Sequence, residues 1–176
     1  SAPAQVSRWL YSKVVVADPR RIDLVRSPHV EAAFHLPVRP GTNVAFVNAM
    51  CHVIVAEGLW DEEFVRARCE DADSYLEFIA RPEHSPEATE HETGIPASDL
   101  RSAARLYAAG PNSALYYGLG VTEHSQGATM VMGMANLAML FRAVAPLPDR
   151  PSTTRVHAHQ FTKPHHETQA LNYATF

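Results

Sequence analysis

The sequence predicts an α/β fold in which a mainly parallel, Rossmann-like sheet is flanked by helices. Three observations carry this expectation. Residues 13–17 form a β-branched run that stops abruptly at Asp18-Pro19-Arg20-Arg21. Residues 116–127 place Gly118 and Gly120 between an apolar segment and a long apolar helix. The crossovers between predicted strands far exceed a hairpin turn, which favours parallel pairing under covering helices.

The elements follow in order. Residues 13–17 read as a buried strand ended by proline and aspartate turn chemistry. After a polar crossover, residues 33–38 read as a short strand, and Pro40-Gly41 turns the chain into Thr42-Asn43. From 44 to 57, Val44, Val47, Met50, Cys51, Ile54 and Val55 recur at helical spacing, and Gly58 follows as a stop. This predicts an amphipathic helix. Asp61 caps a second helix over 62–69, whose early acidic residues suit the positive end of the helix dipole. Ser85-Pro86-Glu87 opens another, closed by Gly94. Residues 98–109 carry Leu100, Ala103, Ala104 and Leu106 on one face before Gly110-Pro111. A strand over 113–117, the glycine turn and a helix over 125–140 complete the pattern. Beyond, prolines and histidines replace any apolar period, so 142–176 reads as an irregular tail and 1–12 as a lead-in to a domain over 13–141.

With 176 residues and 46% hydrophobic content, the chain suffices for one core and is short for two domains. A net charge of -4 lacks the electrostatic footprint of nucleic-acid binding. The longest apolar run, 130–141, is interrupted by Gly133 and Asn136 and falls short of a bilayer span. No secretory leader is evident, and Cys51 and Cys69 form neither a metal pattern nor a disulfide framework. A cytoplasmic setting without membrane or nucleic-acid partners is expected.

In open parallel sheets, ligands sit outside the carboxyl ends of the strands. Residues 18–20 and 118–123 both fall at predicted strand ends and so could share one crevice. Asp18 could accept from ribose hydroxyls or a guanine edge and Arg20 could pair with phosphate, or both could belong to an ordinary turn. Gly41-Thr42-Asn43 could present donors to a nucleotide or simply begin a helix. Cys51-His52 suggests a nucleophile and its base, but Cys51 lies on an apolar helix face and reads as structural. The tail pairs His157/His159 and His165/His166 could bind metal or be incidental. Glu92, Glu123 and His124 are possible acid or base groups without an orienting third member.

Val14-Val15-Val16-Ala17-Asp18-Pro19-Arg20-Arg21, Pro40-Gly41-Thr42-Asn43-Val44-Ala45, Asn48-Ala49-Met50-Cys51-His52 and the opening glycine motif together resemble the molybdopterin oxidoreductase family. The likeness runs over 13–140 and is nearest to catalytic alpha subunits of cytoplasmic, NAD-linked formate dehydrogenases. It implies part of the site for bis-molybdopterin guanine dinucleotide carrying molybdenum or tungsten. By the same resemblance, Ala17, Asp18 and Arg20 would contact the guanosine and phosphate, Gly41 and Asn43 would extend that site, and Gly118, Leu119 and Glu123 would line the cofactor toward its metal end.

No protein ligand to the metal is assigned within the chain. The family's four-cysteine iron–sulfur motif and its metal-ligating cysteine or selenocysteine have no counterpart here, nor does the downstream arginine loop that helps bind formate. The resemblance therefore implies a partial alpha subunit, with the iron–sulfur cluster, NAD and electron-transfer partners served by other regions or subunits. The alternative is a non-catalytic α/β binding or self-associating module that has lost the cofactor, with Val131, Met134 and Leu137 as the self-association face.

Overall fold

The computed structural model describes residues 13–110 and 113–140. The lead-in over 1–12 and the tail over 142–176, with its histidines, lie outside the described residues. Within them the fold is a helix-rich α/β mixture. Strand β1 (Val15–Ala17) is buried throughout and pairs in parallel with β2 (Phe34–Leu36), Val15 opposite Phe34 and Ala17 opposite Leu36. The expected parallel pairing and the abrupt stop at Asp18 are both present.

Among the described residues the sheet has two strands, and the segment 113–117 is not a third. Leu115 alone of these residues is fully buried, and Tyr116 makes one isolated bridge. The Ser113 hydroxyl donates to the Tyr107 carbonyl at 2.7 Å, which ties the segment to a helix end instead of a strand edge. Its aromatic composition favours extended backbone, but a ladder also needs a neighbour in register.

Eight helical segments were found in the described residues where five were expected. They are α1 (Asn43–Ala56), α2 (Glu62–Arg68), α3 (Ala72–Ile79), a 3₁₀ turn (Pro82–His84), α4 (Pro86–Thr93), α5 (Ala97–Ala109), α6 (Leu119–Thr122) and α7 (Gly127–Leu140). The predicted caps are in place. Asp61 accepts from the Phe64 amide at 2.9 Å, Ser85 accepts from the Ala88 amide at 3.2 Å, and Gly94 ends α4 at φ +75°. Helix α3 had a legible signal: Ala72, Tyr75, Leu76 and Ile79 stand at i, i+3, i+4 and i+7.

Helix α1 is the centre of the fold. It was expected to be amphipathic, yet Phe46, Val47, Ala49, Met50, Cys51, His52, Val53 and Ile54 are all buried. The reason is that α3, α4, α5 and α7 pack around it, so no broad solvent face remains. Gly133 faces Val47 of α1, and a β-carbon there would stand 3.4 Å from Val47 Cγ1, an ordinary contact. Met134 and Leu137 turn inward and are 1% and 0% exposed, so the self-association face expected through them is not available. At the end of α1, Arg105 grips Glu57 with two bonds of 2.7 and 2.9 Å, while Arg101 grips Glu87. These exposed pairs orient α5 against α1 and α4 more than they stabilise it.

Cys51 and His52 serve the core. His52 Nδ1 donates to the Ile79 carbonyl at 2.8 Å, joining α1 to α3. Burial pushes the Cys51 thiol up to about 12, only partly offset by the Tyr75 hydroxyl beside it. A thiol held protonated at neutral pH is a poor nucleophile.

The glycines of the opening motif behave differently from expectation. Neither Gly118 nor Gly120 takes left-handed backbone, and a β-carbon on Gly120 would meet nothing within 4 Å. The constrained glycine is Gly127, where a β-carbon would collide with the Thr122 carbonyl, its carbon only 2.9 Å away. Gly127→Ala is expected to destabilise the fold by roughly 2 kcal/mol. Gly120→Ala should be neutral or stabilising by up to about 1 kcal/mol, because it restricts the unfolded chain. Urea denaturation of both variants checks the contrast.

A second prediction concerns alkaline pH. Because folding raises the Cys51 pKa from 9.0 to about 12, its contribution to stability is fully present below pH 9 and is lost as pH rises toward 12. Cys51→Ala should flatten the loss of urea midpoint across that window. A thiol reagent should label half-buried Cys69 in the native protein and Cys51 only after denaturation.

Candidate functional site

The carboxyl end of β1 opens into a crevice between three parts of the chain. Ala17, Asp18 and Pro19 form one side, Val38, Asn43 and Phe46 the floor and second side, and Gly120, Val121 and Met130 the third. The parallel pair brings the first two together, since β1 and β2 end side by side and α1 begins just beyond β2. The packing of α7 on α1 brings in the third. Phe46, Val121 and Met130 are buried, so polar groups sit above an apolar base.

Asp18 is half-buried and Arg20 largely exposed. The Asp18 carboxylate accepts from the Arg20 amide at 2.8 Å and from Arg20 Nε at 3.2 Å, with a longer contact of 3.4 Å from Nη2. This closes an aspartate turn that fixes the carboxylate at the crevice rim. The hydrogen bond that Arg20 donates to Asp18, with the carboxylate's charge, raises the Arg20 pKa further. Arginine is protonated across the whole working range in any case, so the pair supplies a fixed positive fork beside a fixed carboxylate. Behind them, His35 Nε2 lies 2.9 Å from the Asp18 carbonyl. A carbonyl only accepts, so Nε2 carries a proton there.

Across the crevice, Gly41 turns the chain at φ +89°, a conformation that disfavours side chains. Thr42 precedes α1 but does not cap it, because its hydroxyl donates to the Arg39 carbonyl at 2.7 Å. The first-turn N–H groups of α1 are thus left without a side-chain acceptor. Asn43, first in the helix, reaches His124 Nε2 at 3.4 Å. The Gln126 amide donates to His124 Nδ1 at 3.2 Å, which puts the proton of a neutral ring on Nε2.

Of the residues singled out in the sequence, Ala17, Asp18 and Asn43 line the crevice together, and Arg20 joins them through Asp18. Gly41 shapes the turn without lining it. Gly118 begins α6, and its carbonyl accepts from the Val121 amide at 3.0 Å. Leu119 is 55% exposed and Glu123 is exposed at the end of the same turn, and neither lines the crevice. Val38, Phe46 and Met130 were read only as structural or not singled out. Their apolar character marks them as core, and nothing local marks which core residues border a crevice. His35 had one signal, a polar ring between Phe34 and Leu36 in a short apolar run.

Among the described residues, no three histidine, cysteine, aspartate or glutamate side chains are placed to hold a metal ion, and no helix is long and apolar enough to cross a membrane. The enclosed part of the crevice is about 90 Å³. Pockets that enclose a small organic ligand run to roughly 300–1,000 Å³. The crevice is smaller than such pockets.

Comparison with known proteins agrees with the resemblance in the sequence. A family model described as molybdopterin oxidoreductase matches residues 4–165. Formate dehydrogenase H of Escherichia coli strain K12 is 40% identical over 129 residues, which are 73% of this chain and 17% of that protein. The F420-dependent formate dehydrogenase 2 subunit alpha of Methanococcus maripaludis is 34% identical over 129 residues, 73% of this chain and 18% of that protein. Acetylene hydratase from Pelobacter acetylenicus superposes with a TM-score of 0.68 at 24% identity, over 84% of this chain and 21% of that one, a likeness of fold. The chain thus spans less than a fifth of the length of the curated relatives it matches.

Proposed function

The chain belongs to the molybdopterin oxidoreductase family, and on that premise we propose that its crevice is one wall of the site for a molybdopterin guanine dinucleotide in a formate dehydrogenase. The observation that carries this reading is the convergence of Ala17, Asp18 and Asn43 with the Gly120-Val121 turn at the carboxyl end of β1. In a Rossmann-like sheet this is where a nucleotide sits.

The residues suit a guanosine arm. A carboxylate offers about four acceptor sites, and Asp18 uses two well and a third weakly, so capacity remains for a guanine edge or ribose hydroxyl. Exposed Arg20 would reach phosphate as a planar fork, and the uncapped first turn of α1 adds N–H groups and the positive helix end. Asn43 would supply an amide to the base or sugar, and Gly41 would let the backbone approach. On the far wall, Gly118, Leu119 and Glu123 would face the cofactor toward its metal end. The crevice's small volume fits a wall completed by other parts of an alpha subunit.

When bound, the cofactor with molybdenum or tungsten supplies the redox chemistry that takes formate to carbon dioxide, while these residues bind and orient it. In this reading the iron–sulfur cluster, NAD and electron-transfer subunits engage other regions, in a cytoplasmic enzyme.

Guanosine monophosphate is a usable probe of the arm. Calorimetry should show saturable binding by the folded chain, weakened about tenfold in Asp18→Ala. Absence of saturable binding by folded wild type, or equal affinity in the variant, would overturn the assignment.

A further inference from the structure

Four carbonyls at the end of a helix lack intrahelical partners, and in α4 each one has a traceable acceptor role. The Glu90 carbonyl accepts from the Gly94 amide at 2.9 Å. The His91 and Glu92 carbonyls accept from Arg39 Nη1, at 2.8 and 3.1 Å. The Thr93 carbonyl accepts from the backbone amide of the same arginine at 2.8 Å. Arg39 thus satisfies three of the four from more than fifty residues away, and its positive charge meets the negative end of the helix.

Gly94 ends α4 at φ +75°, a backbone conformation that favours glycine, and it lies against the guanidinium, where a β-carbon would stand at an ordinary contact distance of 3.4 Å from Arg39 Nη2. The Arg39 carbonyl accepts from the Thr42 amide at 3.1 Å and from the Thr42 hydroxyl at 2.7 Å. The Thr42 carbonyl in turn accepts from the Phe46 amide at 3.0 Å. Three crevice residues, Val38, Asn43 and Phe46, therefore flank a segment anchored at one residue that does not itself line the crevice.

We propose that Arg39 is a positioning residue of the site: by clasping the C-terminus of α4 it fixes the turn 40–43 and aims Asn43 and the first turn of α1 into the crevice. The function of that aim rests on the guanosine reading above; the clasp itself does not.

Arg39→Ala and Arg39→Lys would be compared with wild type by hydrogen exchange and by guanosine monophosphate binding, with circular dichroism to establish folding. In Arg39→Ala, exchange should accelerate in 40–46 while α7 keeps its protection, and affinity should fall about tenfold. Arg39→Lys keeps the charge without the fork and should fall in between. Unchanged exchange in 40–46 overturns the proposal, as does equal acceleration throughout the molecule or failure of both variants to fold. If wild type binds no nucleotide, the guanosine reading fails, and the exchange pattern still decides the clasp.

Discussion

The fold depends on the burial of α1. A helix with eight fully buried residues must be enclosed on nearly every side, and each aliphatic or aromatic side chain taken from water there contributes roughly 1.5–3 kcal/mol. Meeting that demand sets the positions of α3, α4, α5 and α7 around it. Burial also explains the adjacent cysteine and histidine, whose environments remove the one from nucleophilic chemistry and commit the other to a helix–helix hydrogen bond.

The same helix positions the site. Its apolar body is locked into the core, while its first turn emerges beside the ends of β1 and β2, where Asp18 and Asn43 face one opening. A crevice built this way needs little local rigidity of its own. Its walls are the ends of elements held elsewhere, through the aspartate turn at Arg20, the α4 clasp at Arg39 and the fit of Gly127 against Thr122. Polar groups collect at the rim because backbone ends are where unpaired donors and acceptors occur.

The small enclosed volume and the share of the relatives' length that this chain covers have one physical consequence. A dinucleotide buries most of its surface in a site, and under the proposed function the crevice would offer one side of such an enclosure. Affinity from that wall alone would rest on a few polar contacts around Asp18, Arg20 and Asn43. It would be weaker and more sensitive to single residues than in an enclosed pocket, where shape also contributes.

Much of this was legible in the sequence wherever the cause is local. Asp61, Ser85-Pro86 and Gly94 determined their helix ends by capping chemistry, the β-branched run ending at Asp18-Pro19 determined β1, and the ordered motifs around Asp18, Gly41 and Gly118 identified the family. Helix α3, which was not among the expected helices, carried an i, i+3, i+4, i+7 spacing at Ala72, Tyr75, Leu76 and Ile79. Tertiary structure alone decided the rest. It left 113–117 without a ladder, enclosed α1 on both of its faces, turned Met134 and Leu137 inward, and made Gly127 rather than Gly120 the constrained glycine. It also placed Arg39 against carbonyls more than fifty residues away. The division has a physical reason: caps and turns act over a few residues of chain, whereas burial, steric fit and strand pairing depend on which distant segment arrives alongside.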